Sequence, residues 1–257
     1  MTRKPRILVT NDDGIHSPGI NALRNAAASL GEAIVVAPDS EQSAVGHAIT
    51  ISDPLRVKEI EKEGKFYGLA VNGTPADCVK LALKAILDAP PDLVVSGINQ
   101  GGNTATNVIY SGTVSAATEA AIMGFPAMAF SLYSFQYRDF STAERIARQM
   151  IAQCLGESMP RHMLLNVNIP SIPYKEIMGV SITRQGRSYF DDEFEKRVDP
   201  WNRTYYWLKG HKLQLDESDD YDEVAIRNQY VSVTPLKYDL TDESVILTLN
   251  DWKLSIE

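Results

Sequence analysis

The stretch Arg6-Ile7-Leu8-Val9-Thr10-Asn11-Asp12-Asp13-Gly14 constrains this chain more than any other. Its apolar run is too short and too β-branched for a helix and reads as a buried parallel strand. The run ends abruptly in an amide, two adjacent carboxylates and a glycine. Residues directly after such a strand lie at its carboxyl end, where open α/β sheets bind their ligands. Two adjacent like charges repel unless something positive stands beside them. A hard divalent cation meets that need. Asn, Asp and Gly also build ordinary solvated turns, so this stretch alone leaves a turn and a metal site both open.

The following residues extend the strand into a layered fold. Ser17 suits an N-cap and Pro18 the first helical position. Ile20, Leu23, Ala27 and Leu30 recur at helical spacing, and Gly31 stops the helix. Residues 33–37 form a second strand, so the first 40 residues make a right-handed parallel βαβ unit. Residues 49–71 read as a strand (Ile49-Thr50-Ile51) and a hairpin turning at a charged segment. Thr74 and Pro75 open a helix through Asp88, and residues 92–96 form a buried strand. A small-residue helix, 114–123, stops at Gly124. Strands over 126–131, 163–169 and 177–183 follow, with a helix between the first two, capped by Ser141 or Thr142 and running to about Leu155. Residues 184–222 are polar and aromatic, alternate without a helical partner and read as an antiparallel arm. One more strand, 231–234, precedes a weakly periodic tail ending in a short helix. The pattern specifies an α/β protein: a doubly wound, Rossmann-like, mainly parallel sheet with helices on both faces, plus an extended hairpin arm and a C-terminal segment. It divides into a core over 1–183, the arm over 184–227 and a C-terminal strand and tail over 228–257.

Three of these strands end in loops that carry chemistry: Asn11, Asp12 and Asp13; Ser40, Ser43 and His47; Ser96, Asn99 and Asn103. In a doubly wound sheet they lie on one edge and converge. Their pooled donors are carboxylate, hydroxyl and amide oxygens, a set for Mg²⁺, Mn²⁺ or Ca²⁺ rather than thiolate-bound zinc. Ser111-Gly112-Thr113 opens the small-residue helix, and free N–H groups with the helix dipole favour an anion there, commonly phosphate. Plain capping explains that segment alone; beside a hard-cation site, phosphate binding explains it better. His16 and His47 stand in site loops, where histidines more often bond or cap than catalyse, and His162 and His211 lie in no site loop.

Absences narrow the function. There is no GxxxxGK[ST], no GxGxxG after the first strand, no GxSxG and no HExxH. The net charge of −8 disfavours polymeric nucleic acid. No apolar run approaches the roughly 20 residues of a membrane span. Residues 1–5 leave no room for the apolar region of a signal peptide, so a cytoplasmic location is expected. Cys78 and Cys154 show no ligand spacing and are expected as reduced thiols.

The segments ILVTNDDGIHSPGI, SAVGHAIT, VNGTPADCVKLAL, DLVVSGINQGGNTATNVIYSGTVSAATEAA and YVSVTPLKYDLTD, in that order between residues 6 and about 242, resemble the SurE family of stationary-phase survival proteins. The resemblance implies a metal-dependent nucleotidase that hydrolyses nucleoside 5′- and 3′-monophosphates, and short polyphosphate as well. It implies one divalent cation per subunit, Mg²⁺ or Mn²⁺ with Ca²⁺ able to substitute, on Asp12, Asp13, Ser43 and Asn99. Asp12, Asp13 and Asn99 are then the catalytic set. Phosphate contacts map to Asn103, Ser111, Gly112 and Thr113, with Asn11 placed beside them. A homodimer or homotetramer is implied, built through the arm and a C-terminal segment exchanged after about residue 228. Two rivals stand: a nucleotide sensor without catalysis, and a sugar deacetylase, whose Asp pair usually follows a His-Pro context absent here. Arm aromatics such as Tyr189 and Trp201 suit either a stacked base or a subunit interface; base preference is left open.

Overall fold

In the computed structural model, which describes residues 3–136, 139–157, 159–252, 254 and 256, strand β1 (Arg6–Thr10) lies at the middle of the architecture. It pairs in parallel with β2 (Glu32–Pro38) on one side and β5 (Leu93–Gln100) on the other. From β1 the chain passes through α1 (Pro18–Ala28) to β2 and then outward to the hairpin of β3 (Val57–Lys62) and β4 (Lys65–Val71). It returns through α2 (Pro75–Leu81) to β5. From there it winds the opposite way through α3 (Asn107–Tyr110), α4 (Gly112–Ile122), β6 (Ala127–Tyr133), α5 (Ser141–Gly156) and β7 (Leu164–Pro170). The winding direction therefore reverses between β1 and β5, which opens a crevice outside the carboxyl ends of those two strands.

The other elements complete the sheet at its far edge. Strand β8 (Gly179–Ile182) pairs in parallel with β11 (Tyr230–Pro235), which pairs antiparallel with β7. The full order is β3-β4-β2-β1-β5-β6-β7-β11-β8. Strands β9 (Tyr189–Val198) and β10 (Thr204–Leu213) form a separate two-stranded antiparallel ribbon. Short helix α6 (Asp222–Arg227) and terminal α7 (Glu243–Asp251) follow in order. No helix among the described residues is long and apolar enough to cross a membrane.

The expected two-faced covering is present, and β1 shows how it arises. Ile7 and Val9 join one apolar layer with Ile20 and Leu23 of α1 and Ile146 and Ile151 of α5. Leu8 points the other way, into a layer with Cys78 and Val79 of α2 and Ala116, Ala117, Ala120 and Ala121 of α4. Period-two alternation thus feeds both faces from one strand. The alanine stripe lets α4 lie close on the sheet, and burial of these layers supplies roughly 25 cal/mol per Å² of apolar surface. Both cysteines are free thiols, Cys78 buried and Cys154 partly so.

Several local expectations shift. Ser17 caps α1 as expected, accepting from the Ile20 N–H. Residues 49–51 are not a strand. The Thr50 N–H (3.0 Å) and hydroxyl (2.6 Å) instead donate to the Asp77 carboxylate, which also accepts from the Thr74 N–H while Thr74 caps α2. The backbone that would have joined a ladder is taken by a helix cap. Helix α2 finishes in a π-helical turn, Ala82–Ile86, two residues short of Asp88. Helix α5 starts at Ser141 behind Phe140, with no side-chain cap.

The Asp77 carboxylate thus fastens the segment after β2 to the start of α2. Asp77→Ala is expected to lower stability by about 2 kcal/mol in urea unfolding. An unchanged midpoint would show that the segment around Thr50 needs no such anchor.

Candidate active site

The turn after β1 is built by Asn11. Its side-chain amide donates to the Gly14 carbonyl (3.1 Å) and to the Ser17 hydroxyl (2.9 Å), so the residue that ends the strand also holds the start of α1. Asp12 is buried and Asp13 half-buried at the head of this turn. The beginning of α4 presses on Asp12 from the other face of the sheet. A Cβ on Gly112 would stand 2.7 Å from the Asp12 Cβ, so only glycine allows this approach. The Thr113 hydroxyl donates to Asp12 Oδ1, and its backbone N–H also reaches that carboxylate. Asp13 receives the backbone N–H of Gln100.

The two other loops are fastened to this turn. The Gln42 N–H donates to the Asp12 carbonyl (2.8 Å), and the Gly46 N–H to the Tyr110 carbonyl (3.1 Å). The Ser43 hydroxyl donates to Glu41 (2.5 Å). His47 bonds through Nε2 (2.9 Å) to Glu119, a buried residue of α4 that also takes Lys80 of α2 (2.5 Å). Burial opposes the Glu119 charge, but the bonds from His47 and Lys80 prevail and hold its carboxyl below the ordinary range. His47 is therefore a strut, and it and exposed His16 stay out of the cavity wall. Asn99 donates its amide to the Gly101 carbonyl (2.8 Å), which leaves its side-chain oxygen uncommitted. Asn103 is clamped from β7. Its N–H donates to Asn168 Oδ1 (2.8 Å), its carbonyl accepts from Asn166 (2.7 Å) and Asn168 (3.0 Å), and its amide donates to Ser131 (2.8 Å).

These loops enclose a cavity of about 530 Å³ at the switch point. Asp12, Asp13, Ser43, Asn99, Asn103 and Ser111 line it together, as the convergence of strand ends predicted. Asn11, Gly112 and Thr113 do not; they lie behind the wall, where Asn11 shapes the turn and Gly112 and Thr113 hold Asp12. Sequence reasoning missed Glu41, a third acid on the rim. It also missed Asn166 and Asn168, both fully buried. Their signal was present: two amides at i and i+2 place polar groups on one face of an otherwise apolar strand.

Electrostatics set what the cavity can hold. Burial pushes the Asp12 carboxyl up against the Thr113 bond that would lower it. Burial, and next the Asp12 charge, push Asp13 up to about 7. Among the described residues, neither carboxylate has a Lys, Arg or His ion-pair partner. Nor is there a group of three or more His, Cys, Asp or Glu side chains arranged to hold a metal ion. The donor set is two strained carboxylates with neutral Ser and Asn oxygens, and it fits one hard cation whose remaining positions water would fill. Ser111 caps α4, its hydroxyl accepting from the Val114 N–H (3.1 Å), so the positive end of that helix opens beside the acids.

Fold and cavity together define a doubly wound α/β protein with an acidic, oxygen-lined site at its switch point, abutting a helix N-terminus. The chain belongs to the SurE family: the family model described as "Survival protein SurE" matches residues 7–192. A protein of Syntrophobacter fumaroxidans named 5′-nucleotidase SurE is 49% identical over 249 residues, covering 97% of this chain and all of that one. Another so named, from Pelotomaculum thermopropionicum, is 51% identical over 243 residues, 94% of this chain and 92% of its own. The crystal structure of the SurE protein from Aquifex aeolicus superposes with a TM-score of 0.84 at 41% identity, covering 97% of this chain and all of that one.

The raised Asp13 value has a consequence for stability. A carboxyl whose folded pKa exceeds its unfolded one favours the fold below the unfolded value and loses that contribution as pH rises through the folded one. In chelator at pH 8, Asp13→Asn is therefore expected to melt a few degrees above the parent, with the gap shrinking toward pH 5. A variant that melts lower at pH 8 would show that Asp13 already has a compensating partner.

Proposed function

We infer that this chain is a 5′-nucleotidase, a phosphatase that splits nucleoside 5′-monophosphates into nucleoside and phosphate. The observation that carries the reading is the single cavity in which Asp12, Asp13 and Asn99 face Ser111 at the start of α4. The near full-length likeness to proteins named 5′-nucleotidase supports it. We extend the reading to 3′-monophosphates and short polyphosphate, because the acid pair, Asn103 and Ser111 engage the phosphoryl group itself, whichever group carries it.

Asp12, Asp13, Ser43 and Asn99 would hold one Mg²⁺ or Mn²⁺, with Ca²⁺ able to substitute. Such a cation supplies Lewis-acid charge and a water of lowered pKa. The chain's own groups do the remaining work. Thr113 holds Asp12 in one orientation, so the acid pair is placed before substrate arrives. Ser111, at the positive end of α4, and the Asn103 amide hydrogen not given to Ser131 bind phosphoryl oxygens and stabilise charge developing on them. The clamp of Asn166 and Asn168 keeps Asn103 from drifting. An aspartate of the pair orients the attacking water, and no side-chain nucleophile is needed.

The remaining features bear on assembly and location. The β9–β10 ribbon exposes Phe194, Trp201 and Trp207, and the segment beyond β11 exposes Leu240, Leu247 and Trp252. A lone two-stranded ribbon is marginal in water, and apolar patches of this kind mark interfaces. We propose that residues 184–227 form an oligomerisation arm beside a catalytic core over 1–183, that 228–257 close a homodimer or homotetramer, exchanging between subunits, and that the enzyme works in the cytoplasm. Sedimentation is expected to give two or four chains per particle; a monomer at micromolar concentration contradicts the arm's role.

Asp12→Asn is expected to keep the fold and lower kcat/KM for AMP by at least the roughly 10–100-fold that losing an outer partner of a metal site costs. Chelation is expected to abolish phosphate release and Mn²⁺ or Mg²⁺ to restore it. Parent-level release by the variant, or activity in chelator, would overturn the site assignment.

A further inference from the structure

A second cavity, of about 750 Å³, lies between α3 and the root of the β9–β10 ribbon. It shares Ala44, Asn107 and Tyr110 with the acidic cavity, so the two are continuous. Its other walls differ in chemistry: Tyr189, Phe190 and Leu208 line it, with Asp192 and Lys209 at its polar edge. In the ribbon's register Phe190, Asp192, Leu208 and Gly210 stand on one face. Gly210 pairs with Asp192, so on the β10 side that face carries no side chain opposite Asp192.

The cleft is held open by fixed bonds. The Ser188 carbonyl, at the head of β9, accepts both the N–H (3.3 Å) and the hydroxyl (3.0 Å) of Thr106. Gln185 donates to the Ala105 carbonyl (2.8 Å), and the Ala105 N–H donates to buried Asp222 (2.9 Å). The loop that carries Asn103 is thereby tied to the ribbon root, and Tyr110 immediately precedes Ser111, the cap of α4. A phosphoryl group at that helix start lies one residue from a ring that faces both cavities.

We propose that the cleft binds the nucleoside half of the substrate, with its base against Tyr110, Tyr189 and Phe190. The continuity of the two cavities argues for this occupant: one molecule with an anionic end and a flat apolar end fills both. Tyr110, Tyr189, Phe190 and Leu208 are each 43–63% exposed, and a stacked base covers such surface without demanding one hydrogen-bond pattern. Trp201, at the far turn of the ribbon, takes no part. The arm then has a catalytic use as well as a structural one: its root selects nucleotides over other phosphate esters.

This proposal rests on the nucleotidase reading, and the test separates the two. Phosphate release from AMP and from ribose 5-phosphate, which has no base, is compared in the parent and in Phe190→Ala and Phe190→Leu. In Phe190→Ala the AMP-to-ribose-5-phosphate ratio of kcat/KM is expected to fall about ten-fold or more, with a smaller fall in Phe190→Leu. An unchanged ratio overturns the proposal, whether both activities fall or neither does. A changed sedimentation mass with both activities falling together would assign the cleft to a second copy of the chain. Should the parent release phosphate from neither ester, the nucleotidase reading fails, and ligand-observed NMR still decides the cleft. Adenosine in chelator is expected to bind the parent more tightly than Phe190→Ala, and equal binding, or none, overturns the proposal.

Discussion

The contact between the start of α4 and Asp12 is what the rest of the site depends on. Gly112 lets the helix reach the carboxylate, and Thr113 binds it with both hydroxyl and N–H. That contact crosses the sheet, since α4 packs on one face while the turn after β1 leads to α1 on the other. It places the negative end of the site and the positive end of a helix within one cavity. A phosphate ester needs both, one to hold a cation and one to receive its oxygens.

This arrangement sets stability against function. Asp12, buried, and Asp13, half-buried, stand side by side with no cationic partner among the described residues, and the folded chain bears the cost in their raised pKa values. The supports around them are bonded in place instead: the Asn11 amide nitrogen, Asn103 and Glu119 each make several bonds, while the buried Asn11 Oδ1 has no partner among the described residues. A rigid frame thus holds a strained pair, which is how a site can be ready for a cation before it binds. The same frame continues through Thr106 and Ser188 to the ribbon root, so the phosphate and nucleoside ends of the crevice are set by one network.

Much of this was legible in the sequence because it depends on local rules. A β-branched run ending in Asn-Asp-Asp-Gly can only be a strand meeting a turn, and strand ends in a doubly wound sheet share an edge. Ser17, Thr74 and Ser111 announce helix starts by chemistry alone, and the structure confirms each. What was not legible depends on partners distant in sequence. Asn11, Gly112 and Thr113 read as phosphate contacts in the sequence; that Asn11 also shapes the turn, and that Gly112 and Thr113 also hold Asp12, follows from an approach of two sheet faces that no spacing reveals. Ile49-Thr50-Ile51 has strand composition, yet Asp77, 27 residues on, takes its backbone. The sequence could not separate Tyr189 from Trp201 as a base-stacking candidate because both are amphipathic aromatics of the arm; only the ribbon's geometry puts Tyr189 in the cleft and Trp201 at the far turn.

The central claim is that the acid pair at the switch point is the anionic half of one cation site. Calorimetric titration of Mn²⁺ into the parent and into the Asp12→Asn/Asp13→Asn variant, at pH 7 in two buffers of different ionisation heat, tests it most directly. The expected result is one Mn²⁺ per chain in the parent, with proton release as the Asp13 carboxyl, poised at about 7, is captured as carboxylate, and no binding in the variant. Equal binding by both proteins, or no binding by the parent, would contradict it.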